Sequence, residues 1–463
     1  MTTTTRSNKR PKRATTRSST TRSWPKNATL DFVSVSQHPT HKCRLPEPSL
    51  CFTNDWLLAA CPISFCKIQV TAWNKHDFDH PSSMSLDVSK AVVSNKSFAS
   101  GEPFVIDQVG FLSTKDDNIY LQVSLHNVPG LLLMEIDVTG ENLIGEMMSL
   151  VAPAPQDLTS NASTTDLGLL TSDGILASIV RTAHNKQQTA VLFDFRSSKC
   201  LGTYVIPLLD KDETASWIRS GDDDLLLWIS NEESSSAVSS LLAWNGTFPL
   251  SFQNIRLPPN IMAICPENPQ GLLAVSKTKA AVPTAKKSKK GQHALDQSGI
   301  AVLWLDLEQC KATTAGQACF SSDLNPGWGH SSHNLMWHPQ EHHVLAVHNH
   351  SPTMNDSSTP SSMVGFAVDS ETGKPVRYQT SNNTKTKQLI RTANTGIYQH
   401  YLNKGRTIAS VAGNVVFHKE EHVLAYVDWN VERVPGDDSD DQPFDDYQYQ
   451  TVFQVHLVSL SSS

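Results

Sequence analysis

A short phrase returns along this chain, and it constrains the fold more than any other feature. An apolar pair followed by Ala and another small or apolar residue appears as Leu57-Leu58-Ala59-Ala60, Ile175-Leu176-Ala177-Ser178, Leu272-Leu273-Ala274-Val275, Val344-Leu345-Ala346-Val347 and Val423-Leu424-Ala425-Tyr426. Weaker copies at Ile119-Tyr120-Leu121-Gln122 and Leu225-Leu226-Leu227-Trp228 fill the gaps and bring the count to seven. Each copy is followed, after a loop of variable length, by an alternating apolar stretch that mostly closes on Asp or Asn. These stretches are Val70–Asn74, Leu133–Asp137, Val191–Asp194, Leu242–Asn245, Val302–Asp306 and Gly365–Asp369, while Val452–Leu457 keeps the alternation and loses the acid. The six intervals from Trp73 to Leu457 average 64 residues.

Between these phrases, apolar stretches of five to eight residues alternate with Ser, Asn, Asp and Gly turns. Almost nowhere does an i, i+3, i+4, i+7 pattern persist, so the texture predicts an all-β chain. At 39% hydrophobic and 18% charged residues the chain can fill a core. Seven strand-rich units of this length each match one four-stranded antiparallel sheet with enlarged loops. A lone four-stranded sheet exposes two apolar faces, and stacking such sheets around an axis covers both. The small Ala on an inner strand lets neighbours approach closely.

The units resemble degenerate WD40 repeats. The best one runs Gly329-His330, Asn334-Leu335-Met336-Trp337-His338-Pro339, then Val344-Leu345-Ala346-Val347. Trp304-Leu305-Asp306, Phe193-Asp194 and Ile136-Asp137 stand where that family has its Trp-Asp dipeptide, and Ala190–Tyr204 reads as a third and fourth strand pair. The resemblance covers about residues 29–460 and implies a seven-bladed β-propeller, with 461–463 as a tail. The last unit holds three strands, whereas Thr29–Ser36 is an isolated strand-like stretch before the first. Pairing 29–36 as the outer strand of the last blade would close the ring and remove an exposed edge.

Charge is unevenly placed. Residues 1–28 carry eight Lys/Arg and no acid, 277–290 carry six Lys and no acid, and the overall charge is −7, which leaves −21 on the remainder. An acidic body repels phosphate backbones, so nucleic-acid contact is expected to be weak and confined to the basic arm. Residues 1–28 have too little apolar surface to order themselves, and the basic loop at about 277–297 and the acidic loop at about 434–447 are expected to be disordered too. Lys9-Arg10-Pro11-Lys12-Arg13 has the form of a nuclear import signal, and Lys286, Lys287, Lys289 and Lys290 form a second cluster. An organelle transit peptide is the rival, though the arm has almost no apolar residue from which to build an amphipathic face. The six acids Asp437, Asp438, Asp440, Asp441, Asp445 and Asp446 could fold back on the basic arm, since closure through 29–36 brings both to one blade.

Few residues ask for chemistry. Seven histidines lie between His330 and His350, at 330, 333, 338, 342, 343, 348 and 350. His348 and His350 could share a strand face, but no acid or Cys stands ready to complete a metal shell. Asp137, Asp194, Asp306 and Asp369 recur at equivalent positions, which is what a structural role predicts, because catalysis needs different groups from different blades. Cys43, Cys51, Cys61 and Cys66 lack the tight pairing of a zinc knuckle, and the eight cysteines read as reduced thiols. No phosphate loop, nucleophile elbow or HExxH motif occurs, so no catalytic residue, cofactor or metal is assigned. No apolar run is long enough for a spanning helix and no secretory h-region is seen, so no membrane contact is expected. The reading is a non-catalytic protein-binding scaffold, a monomer within a larger nuclear or nucleolar assembly such as one in ribosome biogenesis, with a cytoplasmic location as the alternative. The competing function is a propeller hydrolase or lyase with a metal or acid–base site at the channel mouth.

Overall fold

The computed structural model describes residues 23–25, 27–37, 47–89, 105–114, 118–126, 130–138, 144–146, 150–151, 162–164, 167–182, 187–197, 199–207, 213–220, 224–231, 240–244, 246–257, 410–418, 420–421, 423–433 and 449–459. Between 261 and 401 it describes the backbone of strands Ile261–Ile264, Leu272–Lys279, Ser298–Asp306, Lys311–Cys319, Asn334–His338, His343–Asn349, Ser362–Asp369 and Ile397–Tyr401. These residues form seven antiparallel sheets. The Leu-Leu-Ala-Ala phrase and its copies are the second strands, among them Trp56–Ser64, Ile119–Leu125, Ile175–Thr182 and Val423–Arg433. The alternating phrases are the third strands, among them Lys67–Asn74, Leu131–Asp137, Gln188–Asp194 and Tyr449–Ser459.

The first strands of successive sheets neighbour one another. Ser49–Phe52 meets Ile106–Ser113, which meets Leu169–Leu170, which meets Glu213–Ser220. In the other direction Ser49–Phe52 meets Ser410–Phe417, which meets Asn334–His338, which meets Ile261–Ile264. This is the arrangement of propeller blades with first strands innermost. Strand Asn27–Gln37 pairs antiparallel with Tyr449–Ser459, from Asn27 opposite Val458 to Gln37 opposite Tyr449. The N-terminal strand thus completes the last blade, as the missing fourth strand required. Two blades depart from four plain strands. In the second, the outer strand is split into Ile144–Glu146 and Leu150–Val151, and in the third the inner strand is split into Ala162–Thr164 and Leu169–Leu170.

The recurring phrase packs both faces of its sheet because side chains alternate along a strand. Leu58 and Ala60 face the second blade, in a cluster with Ile106, Val109 and Leu121. Leu57 and Ala59 face the last blade, in a cluster with Val423, Ala425 and Val455. In the third blade Leu176 and Val180 pack on Leu131 and Leu133 of the second, whereas Ala177 and Ile179 pack toward Trp217 and Leu227 of the fourth. The core is therefore a series of seams between blades.

The strand directions sort every connection onto one of two faces. Links from first to second strand (53–55, 114–118, 171–174, 221–223, 265–271, 339–342, 418–422) and from third to fourth (75–76, 138–143, 195–198, 245–251, 307–310) are short; only 370–396 is long on this turn face. Links from second to third strand, and from one blade to the next, lie on the opposite loop face. Seven of these hold ten residues or more: 38–48, 88–105, 152–161, 280–297, 320–333, 350–361 and 434–448.

Candidate interaction face

On the loop face, the starts of the inner strands of blades two to four surround a cavity of about 380 Å³, whose lining includes Asp107, Gln108, Thr164, Arg181, Gln188 and Thr214. Asp107 is the second residue of the inner strand of blade two and faces His126 across 3.5 Å, from Oδ2 to Nδ1. Burial pushes its carboxyl upward, and the charge of His126 and its hydrogen bond pull the other way. The wall between blades three and four is fixed by one amide. Gln188 donates from Nε2 to the Glu213 carbonyl at 3.0 Å, and its Oε1 accepts from the Ala215 N–H at 2.9 Å. Gln122 does the same between blades two and three, donating to the Gly168 carbonyl at 3.2 Å and accepting its N–H at 2.7 Å. The Gln122 clamp ties the broken inner strand of blade three to blade two, the Gln188 clamp ties blade three to the inner strand of blade four, and Trp217 adds a third tie through Nε1 to the Ser178 carbonyl.

The turn face carries a different constellation, at the seam where the ring closes. Trp24 is 1% exposed. Its indole meets Phe52 and Phe78 of blade one edge-on, with centroids 5.2 and 5.1 Å away, and lies 6.0 Å from the His418 ring of the last blade. Its backbone N–H donates to Glu421 Oε2 at 2.8 Å, and Glu421 Oε1 takes Lys75 Nζ at 2.6 Å. His418 Nδ1 accepts the N–H groups of Glu420 and Glu421, which leaves the proton on Nε2, 3.3 Å from the Asn54 carbonyl. The sequence reading leaves Trp24 in an arm with too little apolar surface to order. It overlooks that a single large ring can find its core in a seam between two blades. The strand likewise starts at Asn27, two residues earlier than expected.

Most residues singled out from the sequence lie elsewhere. Lys9, Arg10, Lys12, Arg13, Lys286, Lys287, Lys289 and Lys290 fall outside the described residues, as do Asp437–Asp446. Lys277 and Lys279 belong to a strand, opposite Ile300 and Ser298. The strands flanking 434–448 end on the loop face, whereas the chain before Asn27 enters from the turn face, the length of an 11-residue strand away. At about 3.3 Å per residue that is about 35 Å, so sharing a blade does not bring the basic arm and the acidic loop together at their roots. The histidines are also divided. His338 pairs with His343 at the turn end of their hairpin, while His348 lies toward the loop end opposite Val364; His330, His333, His342 and His350 fall outside the described residues.

The recurrent acids end third strands on the turn face, away from the cavity. Asp194 Oδ1 accepts the N–H groups of Arg196 and Ser197 at 2.9 and 3.1 Å, and its bonds from Ser197 hold its carboxyl below the usual range. Asn74, at the same place in blade one, accepts the His76 N–H at 2.8 Å. Both side chains fasten the turn that follows. Asp137 occupies the equivalent place; of Asp306 and Asp369 the backbone position is the same. Among the four cysteines weighed for zinc, Cys61 is buried, with its thiol pushed up to about 12 by that burial, and it points at the Pro62 carbonyl. Cys51 points at the Phe52 carbonyl on another strand, and Cys43 falls outside the described residues.

No protein-family model matches the chain, and neither does any curated protein. Among solved structures, it is similar to the polysaccharide lyase Uly1, at 9% identity and a TM-score of 0.45 over 95% of this chain and 94% of that one. Drosophila Semaphorin 1b, extracellular domains 1-2, gives 10% identity and a TM-score of 0.43 over 94% and 88%. The WD40 domain of SCAP from fission yeast gives 8% and 0.37 over 87% and 82%. The fold is a WD40-like β-propeller. The sheet order, the run of neighbouring inner strands and the pairing of Asn27–Gln37 with the last blade carry that assignment.

Proposed function

We propose that this propeller is a non-catalytic scaffold that binds other proteins through its loop face, as a monomer within a nuclear assembly. The asymmetry of the two faces carries the reading. All but one of the links on one face hold seven residues or fewer, whereas seven links of ten residues or more lie on the other, and blades two to four are tied together by Gln122, Gln188 and Trp217. Rigid blades presenting long loops are how a propeller offers a broad, adaptable surface to a partner. The loops 280–297 and 434–448, one with Lys286, Lys287, Lys289 and Lys290 and the other with six acids, give this face both signs of charge. Such patterning favours selection among protein partners. The basic arm enters from the opposite face, so an import receptor gripping Lys9, Arg10, Lys12 and Arg13 leaves the loop face free.

A second reading, a hydrolase or lyase acting at the loop face, draws on the cavity beside Asp107, whose carboxyl is raised by burial. One experiment separates them. The tagged full-length chain is compared with a version lacking 1–22 and a version in which 280–297 and 434–448 are replaced by short Gly/Ser links. The scaffold reading expects a nuclear protein with a stoichiometric partner that survives loss of the arm and is lost with the loops. A chain that purifies alone, or a partner indifferent to the loops, contradicts it.

A further inference from the structure

The chain before Trp24 is delivered to an acidic part of the turn face. Trp24 seats its indole against Phe52 and Phe78, and its N–H bonds to Glu421 Oε2 at 2.8 Å. The end of the basic arm is thus seen in contact with one of the acids there. Residues 53–55 and 75–80 of blade one and 418–422 of blade seven carry five acids, Asp55, Asp77, Asp79, Glu420 and Glu421, against two lysines, Lys75 and Lys419. Each acid stands beside a group that holds Trp24. Asp77 and Asp79 flank Phe78, the Asp55 carbonyl accepts the Lys75 N–H at 2.8 Å, and Glu420 precedes Glu421. Lys75 is committed to Glu421, whereas Asp55, Asp77 and Asp79 are exposed. The histidines beside them are His76, 3.9 Å from Asp55, and His80, 2.8 Å from Asp77.

We infer that Arg17 and Arg22 of the basic arm dock on the turn face of blades one and seven, with Asp55, Asp77, Asp79 and Glu420 as their carboxylate partners. The occupant is this chain's own segment 17–22, which lies outside the described residues and joins them at Ser23. It continues the interface that Trp24 begins. Arg22 is two residues from Trp24 and Arg17 is seven, so the intervening chain spans at most about 7 and 23 Å at about 3.3 Å per residue. The strand ends that flank the acidic loop 434–448 lie farther off, by the length of the 11-residue strand Asn27–Gln37, about 35 Å. A tether this short presents each guanidinium at about millimolar effective concentration. That decides the outcome, because an exposed ion pair is weak alone and is screened by salt. Between the two arginines, Ser18–Thr21 carries no charge, so nothing within the segment competes for them. Lys9, Arg10, Lys12 and Arg13 precede the docked segment and stay available to an import receptor. The inference does not rest on the scaffold reading, which concerns the opposite face.

The test follows tryptic cleavage of the full-length protein beside a free peptide of residues 1–24, at about pH 8.5, above the ordinary histidine range. Arg22 lies too near the buried Trp24 to be diagnostic, so cleavage after Arg17 is read, with cleavage after Arg6 as the internal reference. At low salt, cleavage after Arg17 should be at least about threefold slower in the protein than in the peptide. In about 0.5 M NaCl the two should agree within about 1.5-fold. Asp77→Asn/Asp79→Asn should remove most of the protection, and Asp437→Asn/Asp438→Asn should leave it unchanged. Hydrogen exchange of Asn27–Gln37 checks that the closing strand stays paired in each variant; where it does not, Asp55→Asn/Glu420→Gln replaces the first pair. In Arg17→Lys, a carbodiimide should couple the new amine to Asp55, Asp77, Asp79 or Glu420. Equal cleavage of protein and peptide, protection that survives salt, or coupling confined to Asp437–Asp446 overturns the assignment.

Discussion

Replacing Trp24 by Ala should loosen the seam that closes the ring. A buried Trp removes about 150–250 Å² from water, which at about 25 cal/mol per Å² amounts to about 4–6 kcal/mol. Ordering the side chain opposes this by about 1 kcal/mol. The indole N–H, which has no partner among the described residues, opposes it by about 2 kcal/mol more. The net contribution is thus about 2 kcal/mol, concentrated where Trp24 joins Phe52 and Phe78 to His418. Hydrogen exchange followed by mass spectrometry reads this locally. Amides of Asn27–Gln37, the strand that peels from this end, should exchange about 30-fold faster in Trp24→Ala, while Gln188–Asp194 in blade three should not change. Trp24→Phe keeps most of the ring and removes the unpaired N–H, so it should stay within about 1 kcal/mol of the parent. Equal acceleration in all blades, or a Phe variant as damaged as the Ala variant, would refute the reasoning.

Other perturbations test the seams and the cavity. Gln188→Leu leaves the Glu213 carbonyl and the Ala215 N–H buried without their partner, and should lower stability by about 2–4 kcal/mol in urea unfolding. A Cβ on Gly168 would stand 2.6 Å from Leu176 Cδ1 and 2.9 Å from Leu131 Cδ1, so Gly168→Ala should cost about 1–3 kcal/mol by the same assay. The Asp107 carboxyl is raised in the folded chain, so the native state binds more protons than the unfolded one just above the ordinary value near 3.8. Stability from this group is present below that value and falls as pH rises through the raised one; Asp107→Asn should flatten that slope in pH-dependent melting. Cys61, with its thiol pushed up to about 12, should resist iodoacetamide at pH 8 in the native protein and react after unfolding.

The strands and their order were legible because the period of two and the recurrence are written in the residues themselves. Leu57-Leu58-Ala59-Ala60 reports a second strand packed on both faces, and the structure divides it between two seams accordingly. The closing strand could be read from a count of three strands in the last unit. The structural work of Asp194 could be inferred from its recurrence, and its bonds to Arg196 and Ser197 bear that out. The cavity was not legible. Thr164, Arg181 and Asp107 belong to different strands, and nothing in their spacing announces that strand direction brings them to the loop face. Trp24 was misjudged because a local tally of apolar residues cannot register a partner seam built by residues nearly 400 positions away. Its one visible signal was a lone Trp in a Thr, Ser and basic stretch.

The central claim, that partners are held by the loop face, is tested most directly by cross-linking the chain in its native complex and mapping the linked lysines by mass spectrometry. Links from the partner should fall on Lys286, Lys287, Lys289 and Lys290 of the loop 280–297 and on Lys67, where the third strand of blade one starts on the same face. Links concentrated on Lys199, at the turn-face start of the fourth strand of blade three, with the loop-face lysines untouched, would contradict the account.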